Sequence, residues 1–506
     1  MNNKLRNETI LFDQFRELAK EHRVIPVTRT FLADESTPVG IYQKLTNGRP
    51  GTYLLESAEN DKSWSRWSFI GVNSAANLTI DKTGAHWSGK VPVGLVDHHD
   101  PIVAIRIALA ALRTKRFEDL PPLTGGLVGA FSYEFVRRLE PLISNYESSD
   151  DDPQATLLLT TDMAAIDHHS GTVWLIANAV NFDNSPDRVE QAYNDCIARL
   201  DQMQKDLTEP SKLSALALKP SDISIETDDS DESYEAAVRK AKEYIYAGDA
   251  FQIVLSRRFK ADINVSSLAV YRALRATNPS PYMYHLNLPT SDPSGIQIVG
   301  ASPEALVKVT NGNCMLHPIA GTRPRGSNPV EDAALADELL ADKKERAEHL
   351  MLVDLGRNDL GKISNPGSVA VTEFMKVERY SHVMHIVSTV TSTLLPEKTA
   401  LDALLATFPA GTLSGAPKPR AMQLIDELEP KSRGFYAGCV GYFDFAGNMD
   451  MAITIRTLVI KGNTAIAQAG AGVVADSDPA AENQECKNKV RAVLNAISLA
   501  EGSEAI

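Results

Sequence analysis

Residues 468–489, Gln-Ala-Gly-Ala-Gly-Val-Val-Ala-Asp-Ser-Asp-Pro-Ala-Ala-Glu-Asn-Gln-Glu-Cys-Lys-Asn-Lys, commit the chain to a strand, a glycine-rich turn and a helix in immediate succession. Gly470 and Gly472 carry no Cβ, so a ligand can come close to their N–H groups. Asp478 and Pro479 are the N-cap and the first position of the helix that follows. At about 100° per residue, Glu482, Glu485 and Lys489 share roughly 60° of arc, and Cys486, Val490, Val493 and Ile497 continue that side. This spacing turns two acids and a lysine inward, where an unpaired ion costs several kcal/mol, so a divalent cation and an anionic substrate would neutralise them. The same spacing describes an i,i+3/i+4 ion-pair ladder on a solvated face, and spacing alone leaves both readings open.

An anionic substrate would meet a chain of formal net charge −14, so local cations have to receive it. That charge excludes a general nucleic-acid or membrane-surface binder, because both need a basic field over the docking face. With 43% hydrophobic and 23% charged residues among 506, the chain can build one large core or two domains. Cys196, Cys314, Cys439 and Cys486 form no C-x-x-C pair, which fits a reducing compartment. No run approaches the roughly 20 apolar residues of a membrane span and no signal-peptide core opens the sequence, so a soluble, cytoplasmic protein is expected.

In chain order, the spacing predicts a helix over 10–22, a strand over 51–58 ending in Glu56 and Ser57, and an aromatic–cationic alternation from Trp64 to Gly71. A helix over 101–116, a glycine-entered strand at 125–133 and strands over 156–162 and 172–179 complete an amino-terminal region, residues 1–205. Residues 206–231 shift to Ser, Thr, Asp, Lys and Pro and are read as a linker to a second region, 232–506. That region opens with a helix ending at Gly248 and a strand in which Gln252 is the polar exception, so its amide needs partners in the sheet or a ligand. Pro279 and Pro281 brace a turn leading into Tyr282 and Met283. Residues 317–326 end a strand at Gly321-Thr322 with Arg323 and Arg325 beside them, a place for carboxylate contacts.

One long helix is predicted over 331–353, with Glu348 near its carboxyl end, where the helix dipole calls for a cation. His382 and His385 stand one helical turn apart and could be metal ligands, acid–base groups or hydrogen-bonded core residues. The loop 408–418 is rich in glycine and hydroxyls, Thr412 among them, but its spacing is not that of a phosphate loop. Arg456 interrupts an apolar strand and must meet a carboxylate from the protein or from a ligand.

Four of these motifs, Pro-Ile-Ala-Gly-Thr-Arg-Pro-Arg-Gly, Glu-His-Leu-Met-Leu-Val-Asp-Leu-Gly-Arg-Asn-Asp-Leu, Gly-Thr-Leu-Ser-Gly-Ala-Pro-Lys and Gln-Ala-Gly-Ala-Gly-Val-Val, resemble the chorismate-utilising enzymes, and among them the anthranilate synthase large subunits (component I). The resemblance implies an α+β fold of antiparallel sheets packed face to face with helices outside, built from two interleaved sequence regions. It implies Mg²⁺ on Glu348 and Glu485, with Glu482 nearby through water. It implies Tyr436 and Arg456 as the grip on the enolpyruvyl carboxylate, with Gly321, Thr322, Gly470, Ala471 and Gly472 lining the rest of the chorismate pocket. His385, Thr412, Gln252 and Lys489 match catalytic positions. Glu56, Ser57, Pro281, Tyr282 and Met283 match a tryptophan-inhibitor site.

The implied reaction adds ammonia to C2 of chorismate, expels the C4 hydroxyl and then eliminates pyruvate. Ala320 stands where aminodeoxychorismate-forming relatives often place a nucleophilic lysine, and Gln252 where water-adding relatives place a basic lysine. The nearest approach to a Gly-x-Cys-x-Gly elbow, Ala437-Gly-Cys439-Val-Gly, is off by one, so a glutamine amidotransferase (component II) is expected as a separate partner in a hetero-oligomer. Aminodeoxychorismate synthase component I and a non-catalytic tryptophan-binding paralogue are the alternatives.

Overall fold

The computed structural model describes residues 10–32, 36–58, 66–140, 152–211, 213–290, 295–380 and 383–505. Trp64, Ser65 and His382 lie outside the described residues. The strands join in a 21-stranded network whose principal ladders are antiparallel. Strand Thr52–Glu56 pairs with Trp67–Asp81 on one side and with Tyr282–Leu288 on the other. Strand Gly126–Phe131 pairs with Ala155–Asp167 and with Cys439–Asp444. Both sequence regions therefore contribute adjacent strands to one sheet at two separate places.

The network folds back on itself. Tyr53, Val128, Ala130 and Leu158 meet Leu286, Ile298, Val440 and Ala452 in a buried layer between two faces. Strand Ala155–Asp167 is buried along its whole length because both faces are covered, which is why it outruns the expected 156–162. Helices pack outside: Val490, Val493 and Ile497 of helix Pro479–Glu501 interlock with Val270, Tyr271 and Leu274 against Phe259 and Ala467 of the sheet. No helix among the described residues is long and apolar enough to cross a membrane.

The stretch 206–231 begins inside helix Val189–Thr208 and ends at the first residue of helix Asp231–Tyr246. Its acidic end is anchored: Asp228 lies 2.6 Å from Lys260 and 3.2 Å from Lys431, and Asp231 lies 2.6 Å from Arg257 and 2.5 Å from Lys487.

Three local expectations are corrected. The first helix is shorter, Phe12–Leu18. The long helix over 331–353 is two, Pro329–Ala341 and Lys343–Gly361, broken at Asp342, whose extended backbone and carboxylate cap the second by accepting from the Lys344 and Glu345 N–H groups. Glu348 thus sits in an early turn of its helix, not against a negative carboxyl end. Arg456 does not interrupt a strand: it lies between Met449–Ile453 and Thr457–Lys461, with φ 49°, in the left-handed region.

Candidate active site

The glycines of strand Thr464–Val473 lie against strand Gln252–Asp262, Gly470 opposite Ser256 and Gly472 opposite Val254. Gly470 has no room for a Cβ, which would meet the Leu255 carbonyl at 2.7 Å, and at Gly472 a Cβ would have to push the Gln252 amide aside. A Cβ on Gly470 would come within 2.7 Å of the Tyr436 hydroxyl, and one on Gly472 within 2.6 Å of Gln252 Nε2. Gln252 uses that space to donate from Nε2 to Glu348 Oε1 at 2.9 Å, so the strand amide and the helix acid form one unit. Ala471 faces the other way, as alternation along a strand requires, with its methyl in the core beside Val238, Leu255 and Ile425; only its backbone can serve a pocket.

Across the cleft, Asp478 caps helix Pro479–Glu501 as expected. Its buried stripe runs through Asn483, Cys486, Val490 and Ile497, so the acids stand on the stripe's flank. Glu485 and Lys489 are each about half exposed and form an i,i+4 ion pair of 2.7 Å, which corrects the inward placement expected for them. Lys489 Nζ also donates to the Gly470 carbonyl at 2.9 Å, tying the helix to the glycine strand. Glu482 is half-buried; burial raises its pKa first, and the charge of Glu485 adds to the rise. It also senses Lys344, at the start of the helix that carries Glu348.

That helix carries a further acid that the motifs did not single out. Glu345, one turn before Glu348, has its pKa raised by burial and then by Glu348, and it lies 3.2 Å from where a Gly321 Cβ would be. Asp342 followed three residues later by Glu345 is a capping signal that could have revealed both the helix break and this acid. Among the described residues no three His, Cys, Asp or Glu side chains form a ready-made metal cage.

The opposite wall is built on a cation. Arg456 is mostly buried, burial lowers its pKa, and its guanidinium makes no hydrogen bond or ion pair among the described residues, its backbone carbonyl alone accepting from the Ala301 N–H. Its electrostatic neighbours are Tyr380 and Glu304. Glu304 is a second residue that the motifs missed. It is 8% exposed, accepts from Thr412 Oγ1 at 3.2 Å, and burial pushes its pKa up to about 8 despite nearby Arg456 and Lys489. A lone acid after Ser302-Pro303 at the head of the apolar run Ala305-Leu-Val was the available signal. Tyr436 is buried, and its hydroxyl makes no hydrogen bond among the described residues.

His385 lies in strand Val383–Thr393, so the one-turn spacing to position 382 has no helical meaning. Its Nδ1 stands 2.9 Å from the Gly321 carbonyl and 3.1 Å from Thr322 Oγ1. A carbonyl only accepts, so Nδ1 carries the hydrogen and Nε2 is left as a base. Burial and then the charge of Arg456 lower the His385 pKa against the Gly321 hydrogen bond, keeping the ring neutral. Gly321, with φ 62°, sits at a register shift inside strand Ile319–Pro324, which continues past the expected end at Gly321-Thr322 and pairs Thr322 with His385.

Glu56, Ser57, Pro281, Tyr282 and Met283 come together elsewhere, as lining of a cavity of about 850 Å³ between the two regions. Glu56 is opposite Met283 in the ladder, but its carboxylate is taken by the Tyr271 hydroxyl and by Arg275 Nε at 3.0 Å. Ser57 Oγ is buried without a hydrogen-bond partner among the described residues, and Tyr282 donates to Asp450 Oδ1 at 3.0 Å.

A sequence model of the chorismate binding enzyme family matches residues 50–495. The chain is 54% identical over 497 residues to anthranilate synthase component 1 of Mycolicibacterium smegmatis, covering 97% of this chain and 94% of that one. It is 52% identical over 492 residues to the component 1 of Arthrobacter globiformis, covering 96% and 93%. Among solved structures, anthranilate synthase component I from Streptococcus pneumoniae superposes with a TM-score of 0.74 at 37% identity, over 86% of this chain and 93% of that one. The menaquinone-specific isochorismate synthase of Escherichia coli gives 0.70 at 18% identity, over 96% and 98%, a likeness of fold alone. With the family match spanning most of its length and near-full-length relatives at more than half identity, the chain belongs to the chorismate binding enzyme family.

Proposed function

We propose that the chain is the large subunit of an anthranilate synthase, converting chorismate and ammonia to anthranilate and pyruvate in tryptophan biosynthesis. Arg456 carries this reading. Its mostly buried guanidinium makes no ion pair among the described residues, as a receptor for a ligand carboxylate would, and the buried Tyr436 hydroxyl, without a hydrogen bond among the same residues, supports the same reading. The enolpyruvyl carboxylate would sit there, with Gly321, Thr322 and the backbone of 470–472 lining the ring.

Glu304, kept protonated by burial and accepting from Thr412, would hand a proton to the departing C4 oxygen. Ammonia would attack C2 near Gln252, whose amide cannot deprotonate a water. The free Nε2 of His385 would then take the C2 proton as pyruvate leaves and the ring becomes aromatic. Ala320 offers no amine for a covalent intermediate, which separates this reading from aminodeoxychorismate synthesis.

The acids fit Mg²⁺: Glu345 with Glu348 and Glu482 with Glu485 are like-charged oxygen donors whose repulsion a divalent ion would relieve. Glu348 and Glu485 would hold it, with Glu482 through water, and when bound it would supply positive charge against the ring carboxylate.

Cys439 is buried in a strand with its thiol pKa raised by burial, so it is unsuited to a glutaminase nucleophile, and a separate amidotransferase subunit would supply ammonia. The 850 Å³ cavity, where the Ser57 hydroxyl has no partner among the described residues, suits tryptophan as a feedback inhibitor. The purified chain with chorismate, Mg²⁺ and an ammonium salt should produce anthranilate fluorescence. An unaromatised amino-chorismate would overturn the assignment.

A further inference from the structure

Thr412, which donates to Glu304, stands in the middle of loop 408–417, whose short helix Gly411–Ser414 leads into Gly415-Ala416. One ammonium gathers both ends of that loop. Lys418 Nζ donates to the Thr407 carbonyl at 3.0 Å, where helix Ala400–Thr407 ends, and to Asp359 Oδ2 at 2.5 Å on helix Lys343–Gly361. The Lys418 and Asp359 side chains are only 12% and 9% exposed, so burial works against the lysine's charge and Asp359 works for it. The exposed Lys362 also reaches Asp359, at 3.1 Å, so the carboxylate does not depend on Lys418 alone for a counter-ion.

Leu355, one turn before Asp359, closes on the same loop: a Cβ on Gly411 would lie 3.0 Å from its Cδ1 and 3.8 Å from Lys418 Cε. Glu304, Thr412, Gly411, Thr407, Leu355 and Asp359 together line a niche of about 50 Å³. The loop meets this helix a second time through Gln252. Ala416 is paired with Gln252 in a ladder, and the Gln252 amide donates to Glu348, about three turns before Asp359. The loop is thus tied to one helix at two places, and Thr412 lies in the segment that the lysine closes.

We propose that the buried Lys418–Asp359 pair is a positioning device for the reaction: by closing the base of the loop onto the helix it sets the reach of the Thr412 hydroxyl to Glu304. Both residues act through Thr412 and not on the substrate. The inference rests on the anthranilate-forming reading above, in which Glu304 is the acid. Its signature lies in that acid. The Thr412 hydrogen bond and the charges of Arg456 and Lys489 hold the Glu304 pKa down against burial, and His317 and Asp359 are the other titratable groups of the niche. A slackened loop withdraws the hydroxyl and lets the acid's pKa climb, whereas a pair that only stabilised the fold would leave it in place.

The test follows anthranilate formation from chorismate, Mg²⁺ and ammonium across neutral and alkaline pH, with melting temperatures on the same preparations. Lys418→Met keeps the stem of the side chain and removes the ammonium. It is expected to lower kcat about ten-fold or more, leave KM for chorismate within about three-fold, and move the alkaline limb of kcat/KM upward. Thr412→Val should move that limb the same way, and the two changes combined should cost less than the product of their separate losses, because both break one hydrogen bond. Where Lys418→Met does not fold, Asp359→Asn decides: it keeps the size and an acceptor oxygen, and should give the same signature with about a three-fold loss of kcat. Either variant, folded, with wild-type kcat and an unmoved alkaline limb refutes the positioning role, as do losses that multiply in the double variant. A wild-type chain that makes no anthranilate overturns the reaction itself, and this role with it.

Discussion

Replacing Glu304 by Gln is expected to separate stability from chemistry. Burial raises this carboxyl from 4.5 to about 8, so the folded state holds a proton that the unfolded chain releases above pH 4.5. A raised folded-state pKa means that the stabilising contribution is full below pH 4.5 and is lost as pH climbs toward 8. At 1.36 kcal/mol per unit, the loss over that window is about 5 kcal/mol. The Glu304→Gln variant lacks this titration but keeps the size of the side chain and its contact with Thr412. Its stability relative to wild type should therefore rise by several kcal/mol between pH 4.5 and 8 and then level. Denaturant midpoints at four or five pH values across that window would measure it, with anthranilate fluorescence read on the same samples. Turnover should fall about 10²–10⁴-fold because a proton donor is gone, and wild-type kcat/KM should decline above about pH 8 as the acid ionises. A pH-independent difference in stability between the two proteins would refute the buried-acid argument.

Arg456→Met should stabilise the apo protein by about 1 kcal/mol or more, since it removes a desolvated charge without breaking a pair, while raising KM for chorismate by orders of magnitude; thermal melts and kinetics together check it. Gly472→Ala puts a methyl 2.6 Å from Gln252 Nε2, displacing that amide from Glu348, and should weaken Mg²⁺ affinity about 10–100-fold in a metal titration with little change in melting temperature. Ser57→Ala removes a buried hydroxyl with no hydrogen-bond partner among the described residues, so it should cost no stability yet blunt inhibition in a tryptophan titration; full inhibition would disconnect that hydroxyl from the ligand. Asp342→Ala deletes the cap of the Glu348 helix and should cost about 1 kcal/mol of stability.

Local chemistry was legible in the sequence where a residue type has few physical options. The glycines at 470 and 472, the cap at Asp478, the polar Gln252 and the uncompensated Arg456 all stand where backbone approach, capping or charge demanded something. Quantities set by distant chain were not legible. Helical spacing placed Glu485 and Lys489 on the right side of their helix but could not tell a buried centre from an exposed flank. Glu304 lies in no charge pattern, and only the arrival of Thr412, Arg456 and Lys489 from remote segments makes it unusual. Residues 206–231 read as a linker from composition alone, and the anchoring of their acidic end was not legible because its cations at 257, 260, 431 and 487 lie on other elements.

Strand Ala305–Thr310 starts beside Glu304 and takes Lys308 into the large cavity, while its ladder partner, Met449–Ile453, holds Asp450 there and leads on to Arg456. Lys308 and Asp450 are clasped at 3.0 Å, and Tyr282 holds the same carboxylate. At about 3.3 Å per residue, the clasp sits about 13 Å from Glu304 along this ladder, whose register shifts between Ala305 and Val307. A guest that opened the clasp would act on two paired strands, one running from Glu304 and the other leading on to Arg456.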